Sequence, residues 1–84
     1  MSGKDNLREL LADLAHQQWS GWIDYEFSRC DVNEDGSLTI PREWVERWRR
    51  QMNTPYSELS EAEKDSDRAE ADRVLAILDR EAEG

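Results

Sequence analysis

Oxygen-bearing side chains occupy every second position of the segment 31–39, with a glycine inside the series. They are Asp31, Asn33, Asp35, Ser37 and Thr39, and the glycine is Gly36. Carboxylate, amide and hydroxyl oxygens at this spacing are ligands that a calcium ion prefers, and glycine permits the sharp turn that such a loop needs. The spacing therefore indicates calcium binding as one candidate chemistry.

The end of this segment departs from a calcium loop. The segment resembles an EF-hand loop through nine positions, but the twelfth should be a bidentate glutamate and is Arg42. Pro41 precedes it, and Glu43 follows one residue too late. Because a guanidinium repels the ion, the competing interpretation is a turn of Asx residues and glycine that joins two helices. The candidate metal ligands are Asp31, Asn33, Asp35, Ser37 and Glu43.

Residues that could catalyse a reaction are sparse. His16 and Cys30 lie 14 positions apart, and the sequence implies no third group that acts with them. The chain has neither a glycine-rich phosphate loop nor cysteines and histidines at the spacing of a zinc site. We therefore expect no enzymatic activity, no catalytic residues, and no cofactor apart from calcium under the alternative above.

The chain is strongly acidic. Its 84 residues include 20 Asp and Glu against 11 Lys and Arg, which gives a formal charge of −9. Such a field opposes nonspecific binding to DNA or RNA, because that binding depends on neutralising phosphates. Only the segment 41–56 is net positive, so an anionic ligand is most favourable there. The acids of 57–83 predict a solvated helix face or, as another alternative, an interaction surface of an inhibitor that blocks a basic host protein.

Signals for membrane insertion or secretion are weak in this sequence. The longest apolar run is the five residues 74–78, far short of the roughly 20 that span a bilayer. Residues 1–5 carry no apolar core of a signal peptide. Cys30 is the single cysteine, so it forms no internal disulfide and suits a reducing compartment. We expect a cytoplasmic protein without membrane contact.

Helical periodicity dominates the first half of the chain. A helix is predicted from Lys4 to Arg29, because leucines recur along its start with the i, i+3, i+4, i+7 spacing of one helix face. They are Leu7, Leu10, Leu11 and Leu14. Ser2 and Asp5 have the spacing of a capping box at its beginning. Gly21 interrupts the pattern and indicates either a kink or a close helix contact.

Two further helices complete an all-α domain that spans residues 1–84. The second is predicted from Pro41 to Met52, and a short turn or one-turn helix follows at 55–59. Ser60 and Glu63 form a capping box that opens the third. Its apolar stripe is Ala71, Val74, Leu75 and Leu78. Residues 79–84 lack apolar side chains, so we expect them to fray. The fold expected is a small three-helix bundle with one core.

Two stretches of the chain resemble a known family. The first is Ala15-His16-Gln17-Gln18-Trp19, and the second runs from Pro55 to Arg68 with the pattern Pro-Tyr-x-x-Leu, a short acidic stretch, then Glu-Lys-x-x-Asp-Arg. Both resemble the RyR domain, the repeat of ryanodine receptors that also occurs alone in bacterial and phage proteins. The resemblance covers about half of the chain. The segment from Gly21 to Trp48 departs from the receptor repeats, because it lacks their Gly-Trp-x-Tyr-Gly stretch.

The resemblance implies a small non-enzymatic protein of phage or prophage type that binds or sequesters a nucleotide-derived ligand. Trp19 or Trp22 would stack on the base, at about 1–3 kcal/mol per base. Arg47 or Arg50 would bind phosphates with the planar guanidinium fork. The remaining candidate ligand-binding residues are His16, Tyr56 and Lys64. Because the receptor cleft lies between two repeats, a single repeat further implies a homodimer.

The same residues also have a purely structural interpretation. The four tryptophans could all fill the core of a small domain that is short of apolar mass. His16 could donate to a carboxylate such as Asp67 and hold the first and last helices together. Both interpretations require those two helices to meet.

Overall fold

The computed structural model describes residues 3–83, and helices account for most of this range. The order is α1 (Gly3–Ser28), β1 (Asp31–Val32), β2 (Leu38–Thr39), α2 (Arg42–Met52), a 3-10 turn (Tyr56–Glu58) and α3 (Glu61–Glu83). The predicted all-α class is confirmed, and the bounds of α1 and α2 and the start of α3 lie within one residue of those expected. Ser2, the predicted cap of α1, and Gly84 lie outside the described residues.

The helices α1 and α3 pack side by side and run antiparallel. Near the start of α1, Asn6 Nδ2 donates to Glu81 Oε1 at 3.1 Å. Further along, Gln18 Nε2 donates to the backbone carbonyl of Glu70 at 3.2 Å. The partner's number falls as the α1 number rises, which defines the antiparallel register. Between these two bonds Leu14 is the buried centre of the interface.

Only part of the apolar surface of α3 is covered by α1. Val74 and Ile77 are half-buried, whereas Leu75 and Leu78 are exposed. Of the predicted stripe of Ala71, Val74, Leu75 and Leu78, only Val74 is half-buried against α1. The reason is that α3 carries two neighbouring apolar rows, and a single partner helix covers one of them.

Local signals in the sequence set the ends of α2 and the start of α3. The carbonyl of Pro41 accepts the first helical bonds of α2, from Trp44 N at 3.0 Å and Val45 N at 3.1 Å. The capping box of α3 is confirmed, because Ser60 Oγ accepts from Glu63 N at 3.2 Å and bonds to Glu63 Oε1 at 2.8 Å. Contrary to the expected fraying, α3 stays helical to Glu83.

A small antiparallel hairpin connects α1 to α2. Asp31 pairs with Thr39 and Val32 pairs with Leu38. The turn closes through Asn33 N to the Ser37 carbonyl at 2.8 Å. Gly36 stands in this turn with φ +86°, a conformation that costs side-chain-bearing residues energy. Over residues 3–83, no helix is long and apolar enough to cross a membrane.

Candidate functional site

A concave surface lies where α2 meets the end of α1 and the start of α3. It is a groove of about 970 Å³. Side chains from all three helices and from the segment between α2 and α3 line it: Trp22, Tyr25, Glu26, Arg47, Trp48, Gln51, Met52, Thr54, Tyr56, Leu59, Ala62, Glu63, Ser66 and Asp67. We call this surface the aromatic groove, because two tryptophans and two tyrosines border it.

An aromatic cluster joins α1 to α2 at one wall of the groove. The rings of Tyr25 and Trp44 meet edge to face with centroids 6.3 Å apart, and Trp44 and Trp48 follow at 5.5 Å. Two guanidinium groups lie over Trp44, that of Arg29 at 5.6 Å and that of Arg47 at 5.1 Å. These contacts fix Trp44 as a packing residue and leave Trp48, one turn later, at the groove.

An ion pair holds α2 against the beginning of α3. Arg50 Nη2 lies 3.1 Å from Glu63 Oε2, and the Glu63 side chain is only 13% exposed. The Ser60 hydroxyl and, secondarily, Arg50 donate to this carboxylate and lower the pKa of Glu63. Because Glu63 also completes the capping box, one carboxylate fixes both the start of α3 and its distance from α2.

Acidic side chains from both α1 and α3 line the groove. Glu26, Glu63 and Asp67 line the groove, whereas Arg47 is its one lining cation among the described residues. At the edge, Lys64 Nζ lies 5.8 Å from the centre of the Tyr56 ring. The groove thus combines flat apolar surfaces with an excess of hydrogen-bond acceptors.

The structure places three of the seven predicted ligand-binding residues in the groove. Trp22, Arg47 and Tyr56 line it. Arg50 and Lys64 border it through Glu63 and the Tyr56 ring, respectively. The other two lie elsewhere on α1, as the next paragraph describes.

His16 and Trp19 lie on the outer surface of α1, away from the groove. They stack on each other with centroids 6.1 Å apart and planes at 19°. The interpretation that His16 binds Asp67 is wrong, because the register brings Gln18 level with Glu70. Asp67, one turn earlier on α3, therefore lies beside Trp22 in the groove. The first and last helices do meet, as expected, but through Asn6, Leu14 and Gln18 rather than through the face that carries His16 and Trp19.

Sequence reasoning missed Tyr25 and assigned Trp48 to the core. A signal for Tyr25 was present, since it follows Trp22 by three positions on one helix face. Its partner Trp44 on α2 could not be inferred, because the hairpin between them sets how α2 returns to α1.

The candidate calcium loop is organised by its own hydrogen bonds. Asp35 Oδ1 accepts from Ser37 N at 2.9 Å and from Ser37 Oγ at 2.6 Å, and these bonds lower the pKa of Asp35. Asn33 Nδ2 donates to Thr39 Oγ1 at 3.0 Å. Within residues 3–83, no three acidic, histidine or cysteine side chains are grouped closely enough to hold a metal ion. The acidic members of the predicted donor set, Asp31, Asp35 and Glu43, are therefore not gathered around one point in this conformation, and calcium binding by Asp31, Asn33, Asp35, Ser37 and Glu43 stays a prediction.

Part of the acidic charge of α3 is neutralised within the helix. Arg68 Nη1 lies 3.0 Å from Glu61 Oε2 and 2.8 Å from Asp65 Oδ1. These contacts lower the pKa of Glu61 and raise the pKa of Arg68. Both carboxylates nevertheless stay more than 70% exposed, so the inhibitor alternative remains a prediction.

Comparison with known proteins adds no relative to these observations. No protein-family model matches the sequence, no curated protein matches it, and no solved structure matches it. The resemblance to the RyR domain therefore stays a prediction that rests on the residues quoted above.

Proposed function

We propose that this protein is a non-catalytic binding module whose aromatic groove holds a planar heteroaromatic ring, such as the base of a nucleoside or nucleotide. The observation that carries the proposal is the convergence of Trp22, Trp48 and Tyr56 from three parts of the chain on one concave surface. Flat aromatic side chains can stack on any nucleobase, because every base has a planar π-face.

The size of the groove suits a small molecule. Ligand sites are typically clefts of about 300–1,000 Å³, lined mainly by apolar and aromatic side chains with a few polar groups. The groove of about 970 Å³ falls at the upper end of that range. Gln51, Thr54 and Ser66 supply neutral hydrogen-bonding groups along it, which could read the edge of a base.

The charge of the groove narrows the ligand class. Glu63 is paired with Arg50, but Glu26 and Asp67 still outnumber Arg47 and repel a polyphosphate that lies inside the groove. A phosphate has to leave toward α2, where Arg47 lines the groove and Arg50 borders it. We therefore expect a nucleoside, or a nucleotide with few phosphates, to bind at least as tightly as a triphosphate.

The RyR resemblance supports the same proposal, because its second stretch lies at the groove. Its second stretch, 55–68, contributes Tyr56, Leu59, Ala62, Glu63, Ser66 and Asp67 to the lining. A stand-alone RyR-like domain of phage type that sequesters a nucleotide-derived ligand is consistent with a binding surface without catalytic groups.

Two tryptophans of α1 provide a matched test. Trp22 lines the groove and is 53% exposed, whereas Trp19, three residues earlier and outside it, is 55% exposed. Adenosine, AMP, ATP and ADP-ribose are titrated while tryptophan fluorescence and melting temperature are recorded. We expect Trp22→Ala to weaken binding about 5- to 150-fold, the equivalent of about 1–3 kcal/mol of stacking. Trp19→Ala should bind like the parent chain.

The outcomes of this titration are distinct. Equal weakening by Trp22→Ala and Trp19→Ala would place binding outside the groove. No saturable response to any of the four compounds would contradict the proposed ligand class.

A further inference from the structure

All three helices of this protein lie in a single layer. The molecule measures 49 × 35 × 16 Å along its principal axes. The shortest dimension is less than half of either of the other two, so the molecule is flat. Stable domains bury their apolar faces between at least two packed layers. A single layer of helices leaves apolar faces exposed to solvent.

The radius of gyration and the accessible surface area of the chain are both larger than those of a compact domain of its size. Its radius of gyration is 17.0 Å, whereas a compact domain of this length has about 12 Å. Its accessible surface is 6881 Å², against about 5,200 Å² for a typical folded monomer of 9.9 kDa. The excess of about 1,700 Å² is more than the roughly 800 Å² that each partner buries in a standard protein interface.

Apolar side chains that the α1–α3 contact leaves exposed or half-buried lie along both helices, and we call them the leucine face. On α3 its members repeat at intervals of four, three and four residues, the spacing of a helix-packing seam. The leucine face comprises Leu11 and Ala15 on α1 and Ala71, Leu75, Leu78 and Ala82 on α3. Leu75 is 53% exposed, and Leu78 is also exposed.

The antiparallel register explains why both helices contribute to the same side. Leu11 is rotated away from Leu14 around α1, and Leu78 is rotated in the same angular sense away from Val74 around α3. Because the two helices run in opposite directions, equal rotations about their axes open on the same side of the layer. The leucine face is thus a second seam beside the one that joins α1 to α3.

We infer that a second copy of this chain covers the leucine face and forms a twofold dimer with four packed helices. The chain carries both halves of a complementary charge pattern. Lys4, Asp5 and Arg8 border the face on α1 with a net charge of +1, and Asp79 borders it at the same end on α3. A twofold axis parallel to the helices places α1 of one copy over α3 of the other, so basic and acidic borders meet. This inference does not depend on what the aromatic groove binds.

Light scattering during size-exclusion chromatography tests the dimer on the full chain. At about 100 µM we expect twice the 9.9 kDa of one chain, and a melting temperature that rises with protein concentration. The combined Leu75→Glu and Leu78→Glu variant should elute with the mass of one chain and lose at least about 100-fold in dimer affinity. The matched control is Val32→Glu, an exposed apolar residue of the hairpin, which should remain dimeric.

Circular dichroism verifies that each variant stays helical. If the double variant unfolds, the single Leu75→Gln change and the concentration dependence of the parent chain's melting temperature decide instead. A parent chain that is monomeric at about 100 µM overturns the inference, even if it binds another protein. A double variant that stays folded and dimeric overturns it as well, because the interface would then lie elsewhere.

Discussion

Arg50 and Glu63 form an ion pair at 3.1 Å that ties the last turn of α2 to the first turn of α3. The aromatic groove lies directly beside this pair, and Glu63 is part of its lining. The same carboxylate bonds to the Ser60 hydroxyl at 2.8 Å. One side chain therefore connects helix initiation, helix packing and the shape of the candidate site.

The lowered pKa of Glu63 predicts an acid-sensitive contribution to stability. A carboxyl group whose pKa is lower in the folded than in the unfolded chain stabilises the fold above its unfolded pKa. That stabilisation disappears as the pH falls through the folded pKa, below the usual value of about 4.3. Melting temperatures between pH 7 and pH 3 measure it. Glu63→Gln should flatten this acid-limb dependence, and an unchanged pH profile would contradict the assignment.

Removal of the Ser60 hydroxyl tests the capping box directly. Ser60→Ala leaves Glu63 N without its acceptor, and loss of such a cap typically costs about 1 kcal/mol. For a domain of this size that corresponds to a fall in melting temperature of roughly 4–8 °C. Ser57→Ala, an exposed change in the preceding turn, is the control and should have little effect.

Two glycines should respond to alanine in opposite directions. Gly21 lies inside α1 with nothing within 4 Å of an added Cβ, so it marks no close helix contact. Gly21→Ala should stabilise the chain by up to about 1 kcal/mol through helix propensity. Gly36 has φ +86°, and Gly36→Ala should destabilise by about 1 kcal/mol or more. Urea unfolding of both variants measures the difference, and equal signs would contradict the hairpin geometry.

Calcium should not stabilise this conformation of the hairpin. The carboxylate of Asp35 is engaged by Ser37, and the loop acids are not grouped around a common point. We expect the same melting temperature in millimolar calcium chloride and in a chelator. A calcium-dependent rise in melting temperature would show that the loop reshapes around the ion. Loss of that rise in the Asp35→Asn variant would assign the ion to this loop.

Features encoded locally were predictable from the sequence. The capping box of Ser60 and Glu63 and the end of α2 before Pro55 both depend on residues within one or two turns, and both are confirmed. The choice between neighbouring apolar rows on α3 was not predictable. Ile77 and Leu75 are equally apolar, and only the register fixed by contacts such as Gln18 with Glu70 decides which faces α1.

The same limit applies to the candidate site. Trp19 and Trp22 lie about 60° apart on one helix, so local periodicity treats them nearly alike. Their roles separate only when α2 packs against the end of α1 through Tyr25 and Trp44. That contact depends on the geometry of the hairpin, which the sequence did not predict. The sequence therefore indicated an aromatic site but not which aromatic residues form it.

Indole N–H signals in a ¹⁵N-labelled sample test the proposed groove most directly. The chain has four tryptophans, which give four separate signals, and single Trp→Phe variants assign them. During titration with adenosine we predict saturable shifts of the Trp22 and Trp48 signals with one common dissociation constant, while the Trp19 signal stays in place. Shifts confined to Trp19, or none at any tryptophan, would contradict the account.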